Sequence, residues 1–263
     1  MSTVLVTGGT GHLGRDIVRL LIQRGDRVRV LARRPGQNPE IEWIKGDVGT
    51  GAGFREAVDG VDAIVHAATN SPAARRGRPG LRDMLASPSD VDVVGTRKLL
   101  AEARRCGVDH FVHISIVGVQ QARVPYSRVK AEAENVVKAG GVPWSIVPGT
   151  PFYWLLARIL DQLSGRRIWP LPSNVDIQPA DSADFAQYVT ECLADGPGGV
   201  RADFGGPEIL SLIEAARQFQ RARGLNGRII RMRMPKFMLR SLGPQTCPDG
   251  RQGKTTWSEW LNQ

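Results

Sequence analysis

The chain has 263 residues, 41% hydrophobic and 23% charged, which suits one large α/β domain or such a domain with a small addition. It contains no run of 18 apolar residues and no signal-peptide pattern, so we expect a cytoplasmic protein without a membrane partner. The net charge of +9 favours an anionic partner. Because the arginines are dispersed, we expect that partner to be a phosphate-bearing cofactor rather than nucleic acid.

Cysteine and histidine show no metal-binding pattern. Cys106, Cys192 and Cys247 lack C-x-x-C spacing, and the four histidines do not match a ligand motif. We therefore expect neither a metal site nor a disulfide framework.

The N-terminal residues predict a strand, a glycine-rich turn, a helix and a second strand. Apolar residues at 4–6 precede the turn, the helix spans about 13–24, and a second apolar strand covers 28–31. Within the turn, glycines recur as G-x-x-G-x-x-G at Gly8, Gly11 and Gly14. Such glycines permit a tight turn, a close approach of backbone to a pyrophosphate, and close packing of helix on strand. The sequence therefore predicts a dinucleotide site at the start of this helix.

The end of the second strand indicates which dinucleotide binds. Ala32 is followed by Arg33 and Arg34, where an NAD-binding chain would carry a carboxylate for the ribose 2′-hydroxyl. Guanidinium groups favour a 2′-phosphate, so we expect NADP(H), with NAD(H) possible. Alternatively, one or both arginines simply face water. Asp47, after the third strand, either accepts a hydrogen bond from adenine or caps a turn.

Strands and helices continue to alternate as far as Gly149, which predicts a parallel, doubly wound sheet. We expect strands at 41–44, 61–66, 111–115 and 144–147, and helices at 53–58, 89–105 and 125–139. The loop from Asn70 to Ser89 contains Arg75, Arg76 and Arg78 and is either a flap beside the substrate or a solvated, disordered segment.

After Gly149 the alternation ends. Residues 1–150 are thus predicted to form the dinucleotide-binding core, and residues 151–263 to supply the last sheet elements and a substrate pocket. In this second part we expect helices at 151–163, 182–194 and 211–224, strands at 201–204 and 228–232, and an irregular stretch at 168–179. The aromatic residues Phe152, Tyr153 and Trp154 either stack on a flat substrate or pack in the core.

Three residues near the fifth strand could perform acid–base chemistry. Ser115 ends that strand, and Tyr126 and Lys130 lie four residues apart on the following helix. An ammonium beside a phenol is expected to lower the phenol pKa. Tyr126 could then exchange a proton with a substrate oxygen during hydride transfer, while Ser115 hydrogen-bonds that oxygen and Lys130 holds the nicotinamide ribose. The alternative is an ordinary surface tyrosine and lysine on an amphipathic helix.

These stretches together resemble the short-chain dehydrogenase/reductase superfamily, in particular its atypical, NmrA-like branch of NAD(P)H-binding proteins. The resemblance is carried by residues 7–14, 31–35, 46–47, 94–100, 113–115, 126–132, 144–149 and 257–261. It implies a Rossmann fold with NADP in the turn at Gly8–Gly14 and the substrate beneath the C-terminal region. Asp92 stands about where many relatives of the extended branch carry an asparagine that supports the proton relay. The predicted cofactor-binding residues are Thr7, Gly8, Thr10, Gly11, His12, Leu13, Gly14, Arg33, Arg34, Asp47, Val48, Ala67, Ala68, Thr69 and Lys130.

Three functions fit this sequence. The favoured one is an NADPH-dependent reductase of a small carbonyl or quinone-like substrate, acting as a monomer or homodimer through Ser115, Tyr126 and Lys130. The second is a non-catalytic protein that senses NADP(H) and alters its contacts with a protein partner. The third is an enzyme resembling the nucleotide-sugar epimerases, using the same three side chains.

Overall fold

The structure is a computed structural model, and it describes residues 1–71 and 88–263. Its first half contains β1 (Thr3–Thr7), α1 (His12–Gln23), β2 (Arg27–Ala32), β3 (Ile41–Lys45), α2 (Phe54–Val58) and β4 (Ala63–His66). A π-helix (Asp90–Gly95) then leads into α3 (Thr96–Cys106), β5 (His110–Ile116), α4 (Pro125–Lys138) and β6 (Trp144–Gly149). The arginines of the predicted flap, Arg75, Arg76 and Arg78, lie outside the described residues.

The second half consists of shorter elements. These are α5 (Tyr153–Asp161), β7 (Ile168–Pro172), β8 (Asp176–Ile177), α6 (Ser182–Ala194), β9 (Gly199–Val200), β10 (Phe204–Gly205) and β11 (Leu210–Ser211). They are followed by α7 (Leu212–Arg223), β12 (Arg228–Met232), α8 (Lys236–Leu242), β13 (Arg251–Gln252) and α9 (Trp257–Leu261). None of the helices within the described ranges is long and apolar enough to span a bilayer.

One parallel sheet organises the molecule. From one edge its strand order is β3-β2-β1-β4-β5-β6, the doubly wound Rossmann order, and β10 and β13 continue it beyond β6 while β9 also pairs with β6. The predicted fold class is therefore confirmed. The chain reverses its direction of winding between β1 and β4, so the carboxyl ends of these strands open onto a crevice.

Both faces of the sheet are covered, which explains why its strands are continuous apolar runs. Val4, Leu5 and Val6 are fully buried. Val4 and Val6 pack with α1 and α6 on one face, whereas Leu5 packs with α2, α3 and α4 on the other. Because β1 and β4 pair in parallel within this buried sheet, their carboxyl ends lie side by side, where the predicted cofactor turn begins.

A separate aromatic cluster holds the C-terminal elements together. Tyr153, Trp169, Phe219 and Trp257 are almost completely buried and belong to α5, β7, α7 and α9, respectively. The indole N–H of Trp257 donates to the carbonyl oxygen of Ala215 at 3.0 Å. Ser211 caps α7 by accepting a hydrogen bond from the Glu214 N–H.

The sequence was misinterpreted in two C-terminal stretches. The expected irregular segment at 168–179 contains β7 and β8, and the strand expected at 201–204 begins only at Phe204. The two prolines of β7 suggested irregular structure. Within the described ranges β7 pairs with β12 alone, so it is an edge strand, where proline is tolerated. The short helix α8 was not expected either.

Candidate functional site

The glycine-rich turn between β1 and α1 has the shape of a cradle for a dinucleotide. Gly8 adopts a φ of 76°, in the left-handed region that favours glycine, and a Cβ there would lie 2.7 Å from the backbone nitrogen of Ala68. A Cβ on Gly14 would overlap the carbonyl oxygen of Gly8. Side chains at either position would therefore fill the cradle or force the turn away from β4.

The turn presents backbone rather than side chains to an incoming anion. Thr10, Gly11 and His12 are exposed, whereas Leu13 and Gly14 are buried against the sheet. The first turn of α1 carries N–H groups that the helix itself cannot satisfy, and they point out of the helix start. These residues fit the pyrophosphate of a dinucleotide.

The predicted adenosine-side residues lie at the ends of β2 and β3. Arg33 and Arg34 follow β2 directly and are both exposed. Asp47 uses Oδ1 to accept a hydrogen bond from the Gly49 N–H at 2.8 Å, so that oxygen caps a turn. Val48 is buried. Ala67 and Ala68, partly exposed after β4, complete the predicted set on this side of the crevice.

Tyr126 and Lys130 meet two further polar side chains beside the end of β4. The Tyr126 hydroxyl lies 3.0 Å from the Thr69 hydroxyl, which donates to Asp92 Oδ1 at 2.7 Å. Lys130 Nζ lies 3.5 Å from the same oxygen of Asp92 and donates to the carbonyl oxygen of Ile114 at 2.9 Å. Asp92 Oδ2 accepts a hydrogen bond from the backbone N–H of Asn70 at 2.9 Å. We call Thr69, Asp92, Tyr126 and Lys130 the tyrosine cluster.

Ser115 has its own hydrogen-bond partner. Its hydroxyl donates to Glu134 Oε1 at 2.6 Å, and the other oxygen of Glu134 accepts a hydrogen bond from Gln120 Nε2 at 2.8 Å. Ser115 is 4% exposed and would have to leave this carboxylate before it could donate to a substrate oxygen. The structure thus brings Tyr126 together with Lys130 and directs the Ser115 hydroxyl toward α4.

Burial raises the pKa of Tyr126, and the negative charge of Asp92 raises it further. Hydrogen bonding between the phenol oxygen and the hydroxyls of Thr69 and Ser71 opposes this rise of the Tyr126 pKa in part. The expectation that Lys130 lowers this pKa below its ordinary value is therefore wrong. The physical reason is that burial penalises the charged phenolate most strongly, and the carboxylate of Asp92, which is ion-paired with Lys130, adds to that penalty. Tyr126 is a phenol at neutral pH.

A buried histidine connects the cofactor turn to the tyrosine cluster. His66 lies between the hydroxyls of Thr7, 2.6 Å from Nδ1, and Thr96, 2.8 Å from Nε2. Because Thr96 donates to the carbonyl oxygen of Asp92, we assign the ring proton of His66 to Nε2, which leaves Nδ1 as the acceptor for Thr7. Burial, and secondly the charge of Lys130, lowers the pKa of His66 to about 4, so the ring is neutral. The predicted cofactor residue Thr7 thus faces inward.

The three aromatic residues after β6 have different environments. Tyr153 is 1% exposed and donates its hydroxyl proton to the carbonyl oxygen of Thr255, so it belongs to the core. Phe152 packs against Phe185. Trp154 stacks on His12 with ring centroids 4.5 Å apart, which places an α5 side chain directly against the glycine-rich turn. Of the three, Trp154 is the one positioned beside the cofactor turn.

Sequence reasoning missed how Thr69 and Asp92 connect to Tyr126. Thr69 was expected among the cofactor-binding residues, and Asp92 was noted only as a departure from relatives. The available signal was a hydroxyl at the end of β4 together with an acid in the next helix, 23 residues away. In the described part of the chain, no group of three or more His, Cys, Asp or Glu side chains could hold a metal ion.

Comparison with known proteins shows the family of the chain. A family described as NAD(P)H-binding matches residues 8–195. The chloroplastic divinyl chlorophyllide a 8-vinyl-reductase of Oryza sativa subsp. indica is 30% identical over 254 residues, covering 88% of this chain and 61% of that enzyme. The (4-alkanoyl-5-oxo-2,5-dihydrofuran-3-yl)methyl phosphate reductase of Streptomyces griseus is 29% identical over 232 residues, covering 84% and 74%. The match with another bacterial relative covers only 35% of the length of that protein.

Solved structures share the fold at low sequence identity. The Bordetella bronchiseptica enzyme WbmH, solved with NAD+, superposes with a TM-score of 0.75 at 16% identity, covering the whole of this chain and 96% of its own. Together with the turn, the strand order and the matched residues, these similarities confirm the resemblance drawn from the sequence. The chain belongs to the NAD(P)H-binding family, in the atypical, NmrA-like branch of the short-chain dehydrogenase/reductase superfamily.

Proposed function

We propose that the protein is an NAD(P)H-dependent reductase of a small carbonyl or quinone-like substrate. The observation that carries this proposal is the tyrosine cluster: a protonated phenol is held next to a buried Lys–Asp ion pair, beside the crevice that the cofactor turn faces. Family membership and the reductases among its relatives support it. The bound cofactor supplies a hydride to the substrate.

In this proposal Tyr126 is the general acid. Reduction of a carbonyl places negative charge on its oxygen, and that oxygen takes a proton from the Tyr126 hydroxyl. Lys130, held by Asp92 and by the carbonyl oxygen of Ile114, keeps a positive charge near the phenolate that forms and is also the proposed partner of the nicotinamide ribose. Ser115 remains a predicted donor to the substrate oxygen; to act in this way it must exchange Glu134 for substrate.

The test is NADPH oxidation with a panel of small quinones and aldehydes, using the native protein and Tyr126→Phe. We expect at least one substrate to be reduced, and its kcat to fall about 100-fold or more in the variant, the usual effect of removing a general acid. The dissociation constant for NADPH should be unchanged. Tyr188→Phe is the control. It removes a tyrosine hydroxyl in α6 that donates to the carbonyl oxygen of Ala202, and it should leave kcat unchanged.

Equal rates for the native protein and Tyr126→Phe would exclude Tyr126 as the acid. If the protein binds NADPH but no member of the panel oxidises it, the result would instead favour a non-catalytic protein that senses NADP(H).

A further inference from the structure

We propose that Thr69 is a catalytic residue whose hydroxyl switches its hydrogen bond from Asp92 to Tyr126 when Tyr126 gives up its proton. This inference rests on the proposed role of Tyr126 as the general acid. It assigns to Thr69 a task on the reacting oxygen, and to Asp92 the task of positioning Thr69 in the resting state.

The direction of the hydrogen bonds follows from the number of protons available. Thr69 has one hydroxyl proton, and its oxygen lies 2.7 Å from Asp92 Oδ1, which as a carboxylate oxygen can only accept. The second contact of Thr69, 3.0 Å from the Tyr126 hydroxyl, must therefore take its proton from Tyr126. In the resting arrangement the phenol donates to Thr69, and Thr69 donates to Asp92.

To act as the acid, the Tyr126 hydroxyl turns its proton from Thr69 toward the substrate oxygen and then transfers it, which reverses the first of these bonds. The phenolate that results has no proton to donate, so the Thr69 hydroxyl can keep its contact with Tyr126 only by rotating and donating to it. A hydrogen bond to a charged oxygen is stronger than one to a neutral oxygen. Asp92 does not become unpaired, because the Asn70 N–H still donates to Oδ2 and Lys130 still lies 3.5 Å from Oδ1. At Thr69 itself only a rotation of the hydroxyl is required, and its proton stays on its own oxygen.

The π-helix and a hydrogen bond from Thr96 hold Asp92 in the position that this exchange of hydrogen bonds requires. The π-helix places its carboxylate, which is fully buried, over the end of β4. The Thr96 hydroxyl also donates to the carbonyl oxygen of Asp92 at 2.6 Å. Among residues 1–71 and 88–263, the charge that acts on the Tyr126 phenol is that of Asp92 from the π-helix, and Lys130 from α4 is ion-paired with this carboxylate. The nearby rings of His66 on β4 and His113 on β5 are neutral because burial lowers their pKa.

The switch can be tested without knowing the substrate. The chain has only three tyrosines, so fluorotyrosine labelling gives three fluorine NMR signals, and Tyr126→Phe identifies the one from Tyr126. Fluorination makes the phenol more acidic and brings its titration toward accessible pH. We expect Thr69→Val to move the Tyr126 titration to higher pH by about one unit, a tenfold change in the ionisation constant, because the phenolate loses the Thr69 donor while the Ser71 hydroxyl remains. Thr69→Ser should restore the native midpoint.

Asp92→Asn provides the opposite change. Removing the negative charge stabilises the phenolate, so the Tyr126 titration should move to lower pH. Thr190→Val is the matched control, because it removes a threonine hydroxyl that donates to the carbonyl oxygen of Gln187 in α6, away from the cluster. It should leave the Tyr126 signal unchanged. Thermal unfolding of each variant establishes that it is folded.

A second measurement separates this role from cofactor binding by Thr69. NADPH titration should give dissociation constants for Thr69→Val and the native protein that agree within about threefold, a difference below 1 kcal/mol. An unchanged Tyr126 titration in Thr69→Val would overturn the proposal, whatever the NADPH affinity. The outcome is independent of turnover: equal rates for the native protein and Tyr126→Phe would remove the role of Tyr126 as the acid, whereas the fluorine signals report on the Thr69–Tyr126 contact itself.

Discussion

Individual side chains in the crevice have environments that their sequence positions do not reveal, and Ser115 is the clearest case. Its hydroxyl lies 2.6 Å from a carboxylate oxygen of Glu134 while its backbone pairs with β6. Strand alternation explains this direction: Ser115 points to the same face as Phe111, toward α4, whereas Ile114 packs on the opposite face. From the sequence, Ser115 could be located at the strand end, but its partner could not be identified.

Ser115→Ala should therefore act mainly on stability. A buried serine that donates to a carboxylate contributes about 1–3 kcal/mol to the free energy of unfolding, and the alanine leaves Glu134 short of one donor. We expect urea unfolding to show this loss, and kcat to fall by less than in Tyr126→Phe. Glu134→Gln with and without Ser115→Ala gives a double-mutant cycle for the pair. A 100-fold loss of kcat in Ser115→Ala with unchanged stability would instead support direct contact with substrate.

The exposure of Arg33 and Arg34 does not by itself show which phosphate group of the cofactor these side chains contact. Both side chains follow β2 directly and are free to turn toward a 2′-phosphate beside the turn. We expect the native protein to bind NADPH more tightly than NADH, and Arg33→Ala to weaken NADPH binding about tenfold or more while leaving NADH binding unchanged.

Arg27→Ala is the matched control for this measurement. Arg27 is an exposed arginine at the opposite end of the same strand, so its removal changes the net charge equally without altering the cofactor end. If the native protein prefers NADH, or if both variants lose the same affinity for NADPH, Arg33 does not contact the 2′-phosphate.

At the scale of elements, prediction succeeded where one local pattern determined the structure. The apolar run at 4–6 and the glycines after it specify β1, the turn and α1 through the chain's own stereochemistry. The helix expected at 182–194 matches α6, and the strand expected at 228–232 matches β12. Long apolar runs predict buried parallel strands because both faces must be covered.

Prediction failed where distant residues determine the local structure. The helix expected at 89–105 begins as a π-helix, which brings Asp92 within reach of Thr69, Asn70 and Lys130. Nothing in the residues at 90–95 distinguishes π from α geometry. Similarly, β7 exists because β12, about 60 residues later, pairs along its length. The tyrosine cluster depends on the π-helix and so could not be assembled from the sequence.

For the whole molecule, the most direct physical consequence of this fold is sensitivity to acid. Burial lowers the pKa of His66 and of His110 to about 4 and that of His113 well below its ordinary value. These rings must be neutral in the folded chain, whereas in the unfolded chain they bind protons near pH 6.5. The contribution of these neutral rings to the free energy of unfolding is therefore fully present above pH 6.5 and is lost as the pH falls toward 4.

His113 isolates this effect, because neither of its ring nitrogens has a hydrogen-bond partner within the described residues. By pH 5, each such histidine lowers the free energy of unfolding by roughly 2 kcal/mol, and carboxyl groups contribute little in this window. Urea unfolding at pH 7.5 and pH 5 should show that His113→Leu loses less stability on acidification than the native protein, because the leucine cannot take up a proton when the chain unfolds. Equal losses for the two proteins would mean that His113 takes up no extra proton on unfolding, and that the acid sensitivity arises elsewhere in the molecule.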